Sequence, residues 1–374
     1  MAPRNVMLMT RALGTGGTER QMTETALALD PAVFAPHVAC VESEGFRGDE
    51  LRRRGIPILE LPINSLKDPQ SFRLLARFSG YMRRHSIRLL HSFDTSTNTY
   101  AVPVAKLPGG PVVLSSQRCF ETTIFPSNRR LNRIAHRLAD GIVVNCEAVG
   151  RHLREDYGLP AGKIHVCRNG LDTSVFRPRE ISDEKPAALR DAGLVIGSVS
   201  VLRPVKSVCT LVSAFARIKD LRPGLKLAIV GSGQMREEIE NQVRDLGISD
   251  QCVLHPSTPH VAPWLHAIDV FVLPSTSEAL SNSLMEAMAC GCAAVASNVG
   301  GNPELVRHGE TGLLFAPGDA EDLARQLTTM LTSDELRNRL ASAGSAWVAK
   351  NLSREAAMQC MEGIYRQYLN EPPR

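Results

Sequence analysis

Short apolar runs alternate with longer amphipathic stretches along the chain in two successive sets, the pattern of parallel sheets wound on both faces by helices. The first set comprises residues 5–10, 37–41, 56–61, 88–91, 112–115 and 142–145; the second comprises 195–200, 226–230, 252–255, 269–273, 293–296 and 312–315. Strands covered on both faces need such nearly continuous apolar sequence. At 374 residues the chain is long enough for two or three domains, each with its own core.

Polar residues without periodicity at 181–186 place the linker there or slightly before. The sequence therefore predicts a first Rossmann-like domain over 1–178 and a second over 179–352. The last segment, 353–374, has helical spacing up to Tyr368 and a possible cap at Ser353. No stretch approaches the roughly 20 apolar residues of a membrane span. The apolar core of residues 1–10 is too short for a secretory signal and reads as a strand, so a cytoplasmic protein is expected. Nine scattered cysteines show neither a disulfide framework nor metal-ligand spacing, and Cys290-Gly291-Cys292 reads as a small-residue turn.

Pro274 stops the run 269–273 and opens Pro274-Ser275-Thr276-Ser277-Glu278-Ala279-Leu280-Ser281-Asn282-Ser283-Leu284-Met285-Glu286. This loop lies at the carboxyl end of a strand, the edge where open α/β sheets bind ligands. Ser281 or Asn282 can cap the next helix, whose unpaired N–H groups, with Ser283, suit a diphosphate. Glu278 precedes the cap and Glu286 falls in the second turn, so both can accept hydrogen bonds from sugar and ribose hydroxyls. The plainer alternative makes Glu278 a solvated loop residue and Glu286 half of a surface ion pair.

Gly14, Gly16 and Gly17 separate a strand from a helix near Glu19, and Gly231 and Gly233 follow another strand. Both loops permit backbone approach to a phosphate, and both lack the complete Gly-x-Gly-x-x-Gly fingerprint. Flexible turns explain them as well. Arg203 and Lys206 follow the strand at 195–200, where two cations can neutralise a departing diphosphate, although each alone is an ordinary surface cation.

Taken together and in order, several segments resemble the retaining glycosyltransferases of family four. They are Gly14-Thr15-Gly16-Gly17-Thr18-Glu19-Arg20, Arg168-Asn169-Gly170-Leu171-Asp172-Thr173-Ser174-Val175-Phe176, and Gly197-Ser198-Val199-Ser200-Val201-Leu202-Arg203-Pro204-Val205-Lys206. The others are Val230-Gly231-Ser232-Gly233, the paired glutamates, Gly300-Gly301-Asn302-Pro303-Glu304 and Thr311-Gly312-Leu313-Leu314-Phe315. The resemblance implies the GT-B fold: two Rossmann-like doubly wound domains facing across a cleft, with the last helix crossing back to the first domain. It implies transfer of a hexosyl or N-acetylhexosaminyl unit from a nucleotide sugar, UDP-sugar first, to a glycan or lipid-linked glycan in polysaccharide biosynthesis. Arg203 and Lys206 match the family's catalytic cations, Glu278 the residue on the sugar ring and Glu286 that on the ribose. Gly16, Gly17, Gly231, Ser281, Asn282 and Ser283 complete the expected donor contacts. A front-face retaining transfer follows from the resemblance, with no cofactor, and no Asp-x-Asp motif calls for a metal.

Two departures stand out. Ala279 replaces a frequent glycine, which narrows the expected sugar pocket. Where many relatives carry His-x-His, this chain reads Leu90-His91-Ser92-Phe93-Asp94. Asp94 can then orient the acceptor hydroxyl, while His91 is either an acceptor contact or a core residue. Arg118 is expected on an acceptor phosphate or carboxylate, with Glu121 as a competing ion-pair partner, and Glu19 is placed with the acceptor contacts.

Charge divides unevenly, net +8 over residues 1–170 and −4 over 171–374. Arg52-Arg53-Arg54, Arg83-Arg84-His85 and Arg129-Arg130 concentrate the excess, which suits either an anionic inner membrane surface or plain solvation. No nucleic-acid module is recognisable. Three readings compete with transfer: a sugar-nucleotide epimerase or phosphorylase of the same fold, a dinucleotide oxidoreductase, and a catalytically weakened nucleotide-sugar-binding protein.

Overall fold

The computed structural model describes residues 2–14, 16–63, 65, 68–120, 126–180 and 184–370. It divides into two compact units, residues 1–170 with 355–374, and residues 171–354.

The first unit runs β1 (Arg4–Met9), α1 (Gly17–Ala28), β2 (Phe34–Cys40), α2 (Phe46–Arg53), β3 (Ile58–Glu60), α3 (Pro69–Arg84), β4 (Leu89–Ser92) and α4 (Thr95–Ala105). It continues with β5 (Val112–Gln117), α5 (Pro126–Leu138), β6 (Gly141–Val144), α6 (Glu147–Glu155) and β7 (Ile164–Val166). The sheet order is β3-β2-β1-β4-β5-β6-β7, and every ladder is parallel. Side chains from alternate positions along each strand feed one core on either face: Val6, Leu8 and Leu89 on one, Met7, Met9 and Leu90 on the other.

The second unit contains β8 (Leu194–Val199), α7 (Val208–Ile218), β9 (Leu225–Val230), α8 (Arg236–Asp245), β10 (Cys252–His255), α9 (Ala262–Ala267) and β11 (Val270–Leu273). After these come α10 (Asn282–Ala289), β12 (Ala293–Ser297), α11 (Asn302–Leu305), β13 (Leu313–Phe315), α12 (Ala320–Thr332) and α13 (Asp334–Asn351). Its parallel order is β10-β9-β8-β11-β12-β13. The closing helix α14 (Arg354–Leu369) belongs almost wholly to the first unit, where Met361, Ile364 and Tyr365 pack with Val6, Leu8 and Phe34.

Twelve strands fall where the apolar runs predict them, within a few residues. The exception is β7, whose three residues pair with β6 alone and are too short to show a period. The division at Gly170 differs from the predicted 178 because residues 171–172 are held by the second unit. Leu171 N donates to Leu352 O, Arg354 N donates to Leu171 O, and Arg354 pairs with Asp172 at 2.7 Å. Residues 181–183 of the expected linker lie outside the described residues. Among those described, no helix is long and apolar enough to cross a membrane.

Candidate active site

Each strand order reverses once, between β1 and β4 in the first unit and between β8 and β11 in the second. Loops leaving adjacent strands at such a point diverge to opposite faces, and the opening between them is where doubly wound sheets take ligands.

In the second unit this opening brings the predicted donor residues together. After β8 the chain passes Arg203, makes a short 3₁₀ turn over Pro204–Lys206, and enters α7 through Ser207 in the left-handed region at φ 48°. Thr276 N, in the loop after β11, donates to Val205 O at 2.8 Å. That bond sets the two loops side by side, and Lys206 Nζ reaches Glu278 Oε2 at 2.5 Å. The same oxygen accepts from Ser275 Oγ at 3.1 Å. Behind it, Ser297 Oγ donates to Ser275 O and Asn302 Nδ2 donates to Ser297 O at 3.0 Å, all of them buried. The carboxylate is thus fixed from below by a polar network and charge-paired from the side. Arg203, three residues before Lys206, is exposed.

Ser281 caps α10, its Oγ accepting from Leu284 N at 3.4 Å. Asn282 and Ser283 form the first two helical positions, at the end of the helix where an anion is favoured. One turn on, Glu286 is 7% exposed, an unusual depth for a carboxylate and unlike the solvated ion-pair alternative. Ala279 is buried as well, so its methyl group takes space that a glycine would leave open.

Gly231 has a structural explanation. A Cβ there would strike Ser200 O, and one at Gly233 would strike Leu202 O, both backbone atoms of the loop after β8. Leu202 N donates to Ser232 O at 2.9 Å and Met235 N to Leu202 O at 3.1 Å. These glycines let the β9 loop lie against the loop that carries Arg203.

In the first unit, Gly16 caps α1 without a side-chain acceptor and Gly17 is the first helical residue, while Thr15 lies outside the described residues. The Glu19 carboxylate folds back over Gly16, where a Cβ would collide with it. Asp94, at the end of β4, caps α4: its Oδ1 accepts from Ser96 N at 2.7 Å and from Ser96 Oγ at 2.5 Å.

His91 requires a correction. It is fully buried, with Nδ1 sharing a hydrogen bond with Tyr365 Oη at 2.7 Å and Nε2 one with Ser116 Oγ at 2.8 Å. Burial, reinforced by the Arg118 charge, holds its pKa well below the usual histidine value. A ring sealed this way is a core residue, not an acceptor contact.

What His91 supports is a stack. Its ring lies 4.0 Å from that of Phe93, and the Arg118 guanidinium sits 5.5 Å from the Phe93 centroid. Arg118 Nη2 donates to Asn169 Oδ1 at 2.6 Å, whereas Nη1 is shut off from solvent with no hydrogen-bond partner among the described residues. Burial lowers the arginine pKa, although not enough to discharge a guanidinium. Glu121, its alternative partner, lies outside the described residues. Asn169 and Tyr365 were not anticipated as site residues. They lie 51 and 274 positions from their partners, and no spacing rule connects them.

No group of three or more His, Cys, Asp or Glu side chains that could hold a metal occurs among the described residues.

Two doubly wound parallel sheets, each with one reversal point, define a two-domain Rossmann-like α/β protein. The family model "Glycosyltransferase Family 4" matches residues 15–175 and "Glycosyl transferases group 1" matches residues 180–347, so the chain belongs to these glycosyltransferases. It is 34% identical over 246 residues to a D-inositol 3-phosphate glycosyltransferase of Thermomonospora curvata, an alignment spanning 61% of this chain and 57% of that protein. It thus spans a little over half the length of that relative. It is 26% identical over 308 residues to the N-acetyl-alpha-D-glucosaminyl L-malate synthase of Bacillus anthracis, spanning 81% of each. The crystal structure of Anabaena HepE in complex with UDP shares the fold, with a TM-score of 0.85 at 20% identity over 97% of this chain and all of that one.

Proposed function

We propose that this chain is a retaining, metal-independent glycosyltransferase that moves a hexosyl or N-acetylhexosaminyl unit from a UDP-sugar to a hydroxyl of an anionic acceptor. The observation that carries the reading is the Lys206–Glu278 pair at the β8/β11 reversal, with the cap of α10, Ser281, three residues beyond Glu278.

In this reading the N–H groups of Asn282 and Ser283 take the donor diphosphate. Glu286 accepts from the ribose hydroxyls and Glu278 from the sugar. As the bond from C1 to the diphosphate oxygen breaks, its electron pair passes to that oxygen, and Arg203 and Lys206 stabilise the growing charge. The acceptor oxygen bonds C1 on the face the diphosphate leaves, and its proton passes to the departing phosphate. Asp94 orients the acceptor hydroxyl.

Arg118 supports an anionic acceptor. A buried guanidinium with an unsatisfied N–H is a site for a carboxylate or phosphate oxygen. The names of the two relatives include a phosphate-bearing and a carboxylate-bearing acceptor, which points the same way.

The basic excess of the first unit supports contact with an anionic bilayer, and α5 is the element suited to it. Leu131, Ile134 and Leu138 are exposed along one side of this helix, with Arg130 and Arg137 exposed among them. Apolar side chains that enter the headgroup boundary, rimmed by arginines that meet lipid phosphate, fit an interfacial helix.

The test is a panel of UDP-, GDP- and ADP-sugars, reading released nucleotide and product mass for the wild type, Lys206→Ala and Glu286→Ala. Nucleotide release lost in both variants supports the assignment. Tight donor binding with no turnover on any acceptor identifies a binding protein instead, and absence of donor binding removes the reading.

A further inference from the structure

Two of the free thiols meet. Cys167 stands one residue beyond β7 and is buried, whereas Cys360 lies on α14 and is exposed. Cys167 Sγ donates to Ala357 O of α14 at 3.6 Å, and Cys360 Sγ donates to Val166 O of β7 at 3.5 Å. Each sulfur therefore reaches across the seam to backbone beside the other residue.

The pair is chemically unequal. The contact with Cys360, together with burial, keeps Cys167 protonated well above the usual thiol range. The neighbouring Cys167 thiol, helped by the Arg168 charge, brings Cys360 down to about 7 in spite of partial burial. An accessible thiol ionised near neutrality beside a second thiol is the arrangement of an attacking and a resolving cysteine.

Position gives the pair a consequence. The chain passes between the two units only at Gly170 to Leu171 and at Arg354 to Glu355. Cys167 lies just before the first crossing and Cys360 just after the second.

We propose that Cys167 and Cys360 form a reversible disulfide that ties α14 to the end of β7 and clasps both chain crossings where they enter the first unit. With glutathione disulfide as oxidant, the Cys360 thiolate attacks one of its sulfurs and releases one glutathione thiolate. The Cys167 thiol then gives its proton to solvent and attacks the Cys360 sulfur, releasing the second glutathione. Two protein thiols are oxidised and one external disulfide is reduced.

The experiment equilibrates the whole reduced chain with mixtures of reduced and oxidised glutathione, alkylates the remaining thiols, and maps peptides by mass. A Cys167–Cys360 linked peptide lighter by about 2 Da than its reduced parts is expected. It should disappear with dithiothreitol and be absent from Cys360→Ser. Because the bond closes a loop that contains the whole second unit, oxidation should also raise the thermal midpoint of the wild type and leave that of Cys360→Ser unmoved. Cys360 is exposed, so the serine variant should fold even if Cys167→Ser does not. Alkylation of both thiols at every glutathione ratio overturns the proposal, as does Cys360 recovered as a glutathione adduct with Cys167 alkylated. None of these readings depends on glycosyl transfer.

Discussion

Lys206 Nζ sits 2.5 Å from Glu278 Oε2, joining loops that leave neighbouring strands 72 residues apart. A cation held by a carboxylate on one side can meet a diphosphate on the other without reorganising, which is the condition for stabilising charge that appears only in the transition state.

Lys206→Ala should therefore lower kcat by about 100- to 1,000-fold, the usual effect of removing one positioned charge donor. The pair is partly exposed, so folding stability should change by less than about 1 kcal/mol. Steady-state kinetics and urea denaturation separate the two effects. A fall in stability large enough to account for the lost activity would return Lys206 to a structural role.

Arg118→Met retains most of the side-chain volume and removes the charge. If the guanidinium holds an acceptor carboxylate or phosphate, KM for that acceptor should rise about 10- to 100-fold, the weight of a charge-assisted hydrogen bond. Donor hydrolysis in the absence of acceptor should stay within about twofold of wild type, because Arg118 belongs to the first unit and the donor carboxylates to the second. Equal losses in both assays would place Arg118 in the folding of the β5 end.

Much of this site was legible in the sequence, and the illegible part has a physical reason. Pro274, the glutamates and Ser281 lie within one loop and the helix it enters, where strand end, cap and helical turn fix relative positions locally. Arg203 and Lys206 could be placed after a strand, but their approach to Glu278 depends on β8 and β11 being neighbours, which follows from strand order and not from any local period. The choice between the two readings of His91 was closed to the sequence for a related reason. Its two partners come from β5 and α14, and only the packed first unit shows that both nitrogens are taken. The short β7 was missed because three residues paired on one side carry no distinguishable pattern.

Buried histidines give the fold a pH dependence whose sign is fixed. Burial lowers His91 well below the ordinary 6.5, and it lowers His136 to about 3. Below pH 6.5 the unfolded chain takes up protons at both positions and the folded chain does not, so stability is full above that pH and falls as the pH drops. Each ring contributes up to about 1.4 kcal/mol per pH unit for as long as it stays neutral in the folded chain. Urea denaturation at pH 7.5, 6 and 5 should show the decline, and His136→Gln should remove about half of the slope. A stability independent of pH over that interval would mean that neither ring is sealed in solution.

Gly233 and Gly16 should respond differently to alanine. At Gly233 the new methyl group meets the carbonyl oxygen of Leu202, and φ is +154°, so the loop carrying Arg203 has to move. At Gly16 it meets only the end of the Glu19 side chain, which can swing away. Gly233→Ala should cost about 2 kcal/mol or more and lower donor affinity, whereas Gly16→Ala should cost under about 1 kcal/mol. Denaturant midpoints measured on the two variants decide whether the β9 glycines act through packing.

The α5 face gives a prediction independent of catalysis. Leu131, Ile134 and Leu138 are 42%, 50% and 44% exposed, while Asn132, Ala135 and His136 of the same helix are fully buried. Replacing Leu131 and Ile134 by serine removes apolar surface from water and should leave stability unchanged or slightly improved, because neither side chain is in the core. Binding to vesicles containing anionic lipid should fall at least tenfold, since each buried CH₂ contributes about 0.8 kcal/mol at such an interface. Arg130→Gln with Arg137→Gln should weaken the same binding and flatten its dependence on salt, the mark of a contact with lipid phosphate. If the wild type sediments equally with neutral and anionic vesicles, or with neither, the stripe is not a membrane contact, and the charge excess of the first unit is only the solvated surface of its helices.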